Sequence, residues 1–391
     1  MNIFNYKSKM NLTIVPLPYI TEHDDTFRLT DSDENLQIYS YTNCDNTCED
    51  MHKKCRGVVF KNDKFLLSSN GWTPEFTKEN LEELRTCFTS DINPVIFDSE
   101  EGCLLRLFYL KDKWYLITHK KLNAFKSRWV CEKSWGDMFV DGLKTLNKTM
   151  DAFYESLDKD KVYWFIVRYN QDNRMVCQAP EVPTIYHVGT VVENTLTFDT
   201  DIGIPYPQKH NFTTVEEMVD YVEKKGHDSI QGLMVFMENT SFKLYNNEYY
   251  KYLLARGNSA SIIFRYLQVR MNREQRERLC TLYPFFLDTF DQIETKLYTL
   301  ACKITDGYTN RYQYGRYVEF PKPEFESIVR PLHTWHLEDK KNNQVNFNKV
   351  MNFIIEQSPQ YLNYLRKKRE QKKNIKERPR LLKTLPKKIE I

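Results

Sequence analysis

Residues 97–106, Phe-Asp-Ser-Glu-Glu-Gly-Cys-Leu-Leu-Arg, crowd one hydroxyl and three carboxylates ahead of an apolar run. A serine attacks only when a base takes its proton, and no histidine or lysine adjoins Ser99 in the chain. A second group of reactive side chains is Cys44-x3-Cys48-x3-His52-x2-Cys55. Its density of sulfur and imidazole is enough for zinc, but its spacing matches no common finger. The expectation is therefore ordinary reduced thiols and no metal. Nine cysteines scattered without a framework agree with a reducing compartment. A third feature is charge. Arg366 to Lys388 holds twelve Lys/Arg against two Glu, a net +10. The whole chain carries +3, so the remainder is −7, and the basic surplus sits entirely in this tail.

The elements that must position these groups fall into two kinds. At 391 residues the chain has room for two or three domains. Up to about residue 235, short β-rich runs alternate with turns: Gly57–Phe60, Leu104–Leu110, Lys113–Thr118, Val162–Tyr169 and Met175–Gln178 read as strands. Asn80–Arg85 reads as a short helix. Thr214-Val215-Glu216-Glu217 is a capping box opening a helix to Lys225. Ile230–Met237 and Ser241–Tyr245 read as strands. Beyond Tyr249 the period changes to that of helices, over Ile262–Leu279, Phe285–Ile304 and Phe347–Arg369. No apolar run reaches 18 residues and the polar, aromatic start resembles no signal peptide, so no membrane partner is expected.

In order and spacing, several motifs resemble the adenylyltransferase domain of phage-type RNA ligases, which are covalent nucleotidyltransferases. Cys55-Arg56-Gly57-Val58-Val59-Phe60 is similar to that family's Arg-Gly-x-x-Phe strand. Gly71-Trp72-Thr73-Pro74-Glu75-Phe76-Thr77 resembles Pro-x-x-Lys-Phe-Phe-Asn, with Glu75 at the lysine. Ser99-Glu100-Glu101-Gly102 stands where the family has Lys-x-Asp-Gly. Tyr163-Trp164-Phe165-Ile166-Val167 with Asn173–Val176 resembles Phe-Glu-Leu-Val…Asn-Arg-Ile-Val, with Ile166 at the glutamate. Ile230-Gln231-Gly232-Leu233-Met234-Val235 resembles Glu-Gly-x-Val, with Gln231 at the glutamate. Phe242–Tyr249 resembles Lys-x-Lys-Ser-x-x-Tyr, keeping Lys243 and replacing the second lysine by Tyr245.

The resemblance implies an α+β fold: an ATP-grasp-like nucleotidyltransferase domain of antiparallel sheets, then a mainly helical domain. The expected division is 1–50 extension, 51–250 ligase-like domain, 251–365 helical domain and 366–391 basic tail. It also implies a nucleotide pocket built from Arg56, Glu75, Ser99, Glu101, Gly102, Ile166, Gln231, Lys243 and Tyr245. In the family a lysine attacks the α-phosphate, carboxylates hold the divalent metal, and lysines neutralise the triphosphate. Here the nucleophile, both glutamates and two lysines are absent together, so the expectation is a pseudoenzyme with no catalytic residue and no cofactor. Lys120, Lys121 and Lys126 lack the following acid–Gly pair; an active ligase using a non-standard lysine is the alternative. Such lysine-less versions look like proteins of large cytoplasmic DNA viruses.

The same substitutions predict a changed ligand. Lysines give way to Glu75, Ser99 and Tyr245, while Asp98, Glu100 and Glu101 add negative potential. Trp72, Trp164 and Tyr245 offer ring faces, although core packing is the commoner fate of such rings. An acidic, aromatic pocket suits a flat, partly cationic base such as a 7-methylguanine cap. The tail, through Lys367, Lys368, Arg369, Lys372, Lys373, Arg378 and Arg380, is expected to bind RNA phosphates. Arg265, Arg270, Arg273, Arg276 and Arg278 read as a solvated helix face, and Tyr308, Tyr312, Tyr314 and Tyr317 as stacking or interface groups. Together these point to a cytoplasmic RNA-binding protein of an infected cell's viral factory. Its partners would be RNA, capped mRNA among the candidates, and proteins of a viral transcription or translation assembly. A scaffold subunit is the third class.

Overall fold

The computed structural model describes residues 9–88, 94–170 and 173–368. It has two compact units, Met1–Leu253 and Leu254–Ile391. The division falls within the helix Asn247–Arg256.

The first unit is the expected α+β arrangement of mainly antiparallel sheets. The six-stranded sheet runs, in spatial order, Lys9–Asn11, Thr195–Thr197, Thr184–Val192, Val162–Arg168, Cys103–Leu110 and Lys113–Ile117. The five-stranded sheet runs Lys209–His210, Val95–Ser99, Gly232–Phe236, Ser241–Tyr245 and Glu75–Phe76. Its last pairing, Lys243 with Glu75, is parallel. A four-stranded sheet runs Phe27–Ser32, Leu36–Tyr41, Arg56–Lys61 and Lys64–Leu67. Asn62-Asp63, Lys111-Asp112 and Glu193-Asn194 each have two positive φ angles, the conformation of type I′ hairpin turns.

Alternation along each strand decides the layers. Phe97, Met234 and Phe236 meet Trp164, Leu104 and Ile166 between the six- and five-stranded sheets. Ile96, Leu233, Val235 and Leu244 point the other way, onto the helices Leu81–Cys87 and Val215–Lys225. The outer face of the six-stranded sheet is covered by the helices Trp135–Thr145 and Met150–Glu155 through Phe139, Leu143 and Phe153. Ile38, Val59 and Leu67 of the four-stranded sheet pack on Phe108, Tyr115 and Ile117.

Two sequence expectations change here. The segment before residue 51, read as an extension, supplies strands to two of the sheets. Met175–Gln178, read as a strand, is a bend, because its backbone N–H groups are taken by a side chain described below.

The second unit is helical: Ile262–Val269, Arg273–Leu282, Leu287–Tyr308, Arg330–Glu338 and Phe347–Ile355. The expected helix Ile262–Leu279 is two helices, because Asn272 caps the second through Gln275 N–H. Phe347–Arg369 breaks after Ile355 and resumes at 359–368. The arginines divide: Arg273 is exposed as expected, whereas Arg270 is buried in a two-bond pair with Glu294. Arg273 pairs with Glu277 and Arg278 with Glu274. Of the tyrosines, Tyr308 is buried and bonded to His333, while Tyr314 and Tyr317 are exposed.

His187, on the Thr184–Val192 strand, is fully buried against Tyr206 and Phe165, and burial pulls its pKa down to about 4. Burial also pulls His119 well below the usual histidine range, with Arg56 and Arg106 adding to it. Between pH 6.5 and 4 the unfolded chain binds a proton at His187 that the folded chain does not, so stability falls as pH falls. The expected loss is about 3 kcal/mol from His187 by pH 4. Urea midpoints across that range measure it, and His187→Gln, which can still meet Thr190, is expected to flatten the profile.

Candidate nucleotide site

The strands Val95–Ser99, Gly232–Phe236 and Ser241–Tyr245 lie side by side, with Ser99 opposite Gly232 and Gly232 opposite Tyr245. This register brings sequence-distant groups together. The Ser99 hydroxyl lies 3.0 Å from Gln231 Oε1, and Lys243 Nζ lies 3.4 Å from the same oxygen. An amide carbonyl only accepts, so both are donors to it. On the neighbouring parallel strand Glu75 accepts from the Tyr245 hydroxyl at 3.0 Å. Burial and Glu75 hold that phenol well above its usual range. Burial holds Lys243 below the usual lysine range, with Glu75 opposing and Arg56 reinforcing the shift. Arg56, half-buried at the start of its strand, reaches toward the Gly71 carbonyl. Arg56, Glu75, Ser99, Gln231, Lys243 and Tyr245 therefore form one group.

The remaining predicted positions have other roles. Gly102 sits where a Cβ would lie 2.5 Å from the Val167 carbonyl and 2.7 Å from Ile166 Cγ2, so only a glycine lets the two strands close. Ile166 joins the intersheet core. Trp164 does so more deeply: it is 1% exposed among Phe97, Val188 and Met234, which corrects its assignment as a base-stacking ring. It also lines a cavity of about 350 Å³. Tyr245 is buried and stacked on Tyr249 and Tyr250. Trp72 is half-buried, with Lys53 Nζ 5.7 Å from its ring centre.

The acidic cluster does not make the pocket acidic. Asp98 points to the opposite face of its sheet, where His210 Nε2 lies 2.8 Å away and the Tyr221 hydroxyl donates at 3.0 Å. Glu100 is paired with Arg168 and is pushed above the usual carboxylate range by burial. Glu101 is 7% exposed and accepts from the backbone N–H groups of Met175, Val176 and Cys177 and from the Tyr249 hydroxyl. These bonds are why Met175–Gln178 bends instead of pairing as a strand. Sequence reasoning missed Arg106, which is fully buried and donates to the carbonyls of Gly57 and Thr118. Its only sequence signal was an arginine inside an apolar strand.

No family model matches this chain. Curated relatives do: it is similar to viral immediate-early proteins. The ICP-46 homolog of Invertebrate iridescent virus 3 is 28% identical over 284 residues, covering 70% of this chain and 63% of that protein. The homolog of Invertebrate iridescent virus 6 is 25% identical over 353 residues, covering 82% and 78%. ICP-46 of Frog virus 3 is 24% identical over 225 residues, half of this chain. Similar solved structures include an archaeal ATP-dependent RNA ligase, 14% identical, covering 72% of this chain and 74% of that one, TM-score 0.42. A putative ATP-dependent DNA ligase from Aquifex aeolicus is 12% identical, covering 76% and 79%, TM-score 0.40.

The family resemblance implies a divalent metal, and the residues present do not fit one. Ile166 and Gln231 bring no carboxylate, and Glu75 is engaged by Tyr245. Of the predicted tail residues, Lys367 is exposed and Lys368 lies over the Tyr364 ring at 5.6 Å. Arg369, Lys372, Lys373, Arg378 and Arg380 lie outside the described residues.

Proposed function

We propose that this chain is a non-catalytic, ligase-like viral protein that binds the 5′ end of RNA, acting in a transcription or translation assembly in the cytoplasm of the infected cell. The observation that carries this reading is the pairing of Ser99 with Gln231. At the two positions where the resemblance calls for an amine nucleophile and a metal-organising carboxylate, a hydroxyl and an amide satisfy each other. Arg56 and Lys243 remain as cations for a terminal phosphate, with Glu75 as the nearest carboxylate. With Asp98, Glu100 and Glu101 committed elsewhere, the cap's positive charge finds little beyond Glu75. Capped RNA is therefore expected to bind no more than a few-fold tighter than 5′-phosphorylated RNA.

The test is incubation with α-labelled ATP and GTP plus Mg²⁺ or Mn²⁺, alongside titration with capped, 5′-phosphorylated and 5′-hydroxyl RNAs. No covalent label is expected. Arg56→Ala with Lys243→Ala is expected to weaken 5′-phosphate binding by about tenfold, two lost charge-assisted contacts each worth a fraction of their full energy at half-buried side chains. Equal binding of all three RNAs by the parent chain would refute 5′-end recognition and move the weight to a scaffold.

One observation favours a second reading. Burial shifts Lys243 toward the neutral form, the one that attacks. Its amine could displace pyrophosphate from the α-phosphate, forming a P–N bond as the P–O bond breaks and the amine loses a proton. An acid-labile adduct that maps to Lys243 and vanishes in Lys243→Arg would establish this and overturn the pseudoenzyme reading.

A further inference from the structure

Cys44, Cys48 and His52 were expected to be ordinary loop groups without a metal. The structure gathers them: one donor atom from each lies within 4.8 Å of the other two. The gathering is local. Asp45 turns the loop by accepting from Thr47 N–H, and Cys48 N–H bonds to the Asp45 carbonyl. His52 projects from the helix Asp50–Lys54, its ring stacked on Tyr41 and close to Phe27. Its Nε2 lies 3.0 Å from the Asn43 carbonyl. A carbonyl only accepts, so Nε2 carries the proton and Nδ1 keeps its lone pair. That is how metal-binding histidines are held, with the second nitrogen tied to a carbonyl or carboxylate. The helix ends on Cys55, which is fully buried. All four residues belong to twelve consecutive positions, and none of the cysteines is in a disulfide.

We propose that Cys44, Cys48, His52 and Cys55 bind one Zn²⁺ as a structural site. Tetrahedral zinc with sulfur at about 2.3 Å requires ligand atoms about 3.8 Å apart. The first three ligands approach that by side-chain rotation, and the Cys55 thiol must leave the Met51 carbonyl, which it now meets at 3.3 Å. A set of thiolates and one imidazole selects zinc over hard cations such as Mg²⁺ or Ca²⁺. The site also has a structural task. The Lys53 carbonyl accepts from the Trp72 backbone N–H at 2.7 Å, and Gly71 packs on the Lys53 backbone. Cys55 directly precedes Arg56. A metal here would fix the segment that carries both.

The full-length chain, expressed with added zinc and purified without chelator, tests this by metal analysis. About one zinc per chain is expected. Cys44→Ser and Cys48→Ser should each reduce it about tenfold or more. Replacing zinc by Co²⁺ in the parent chain should give a tetrahedral visible spectrum with sulfur-to-cobalt charge transfer. That band should weaken by about one third in Cys55→Ser, one thiolate of three. Because a ligand variant can fail to fold, the parent chain is also melted with and without a chelator. A lowered melting temperature that zinc and not magnesium restores supports the site. Less than a tenth of an equivalent of zinc, no tetrahedral cobalt spectrum, or a Cys44–Cys48 disulfide by mass would each overturn it. A cobalt band unchanged in Cys55→Ser would overturn the four-ligand assignment.

Discussion

Gly232→Ala is expected to cost about 4 kcal/mol of folding stability, combining backbone strain with overpacking. Gly232 has a φ of +152°, where side chains are rarely tolerated, and its added Cβ would lie 1.9 Å from the Leu244 carbonyl. That carbonyl belongs to the neighbouring strand and cannot move without opening the Gly232–Tyr245 pairing. The same residue lies opposite Ser99, so the register that brings Ser99, Gln231 and Lys243 together depends on the missing side chain. Urea denaturation should show a markedly lower midpoint. Alanine at Gly315, where no atom lies within 4 Å but φ is also positive, controls for strain alone. A Gly232→Ala midpoint no lower than that control would show that the close approach is not what constrains the sheet.

Glu101→Ala is expected to cost a similar amount, about 4 kcal/mol, because one side chain serves several donors. Its removal strands the backbone N–H groups of Met175, Val176 and Cys177 and the Tyr249 hydroxyl. Each stranded buried donor costs on the order of 1–3 kcal/mol, and partial hydration of the bend recovers some of the total. Glu101→Gln retains one accepting oxygen and should lose about half as much. Hydrogen exchange at residues 175–177 gives the local readout. Unchanged protection there in Glu101→Ala would mean that the carboxylate does not hold the bend.

Glu101 also separates what kind of information each level carries. The sequence singled it out, three residues after Phe-Asp and directly before Gly102, but assigned it to an acidic pocket. Proximity along the chain says nothing about which way a side chain points. Alternation turned Asp98 to the far face of its sheet, and Glu100 and Glu101 found an arginine and a row of N–H groups from distant segments. Trp164 failed for a related reason: a tryptophan on a strand looks the same in sequence whether its face meets solvent, ligand or a second sheet.

The N-terminal strands were missed because their polar residues lie on half-exposed strands such as Phe27–Ser32, where alternation is irregular. Strands such as Ser241–Tyr245 and helices such as Val215–Lys225 were legible because local signals specify them: β-rich alternation in one, a Thr214–Glu217 capping box in the other. Arg56, Glu75, Ser99, Gln231, Lys243 and Tyr245 were named from the sequence because motif order survives substitution. That Ser99 and Lys243 share one amide oxygen was not readable there. That contact is set by strand register across more than 130 residues of chain, which only the folded sheet establishes.

The sequence by itself determined the α+β character, the change to helices after residue 250 and the absence of a lysine at position 99. Those follow from periodicity and residue identity, which are local. Tertiary structure decided which charges face the site and which aromatics are core. Those depend on packing between segments, where burial must satisfy every polar group at once.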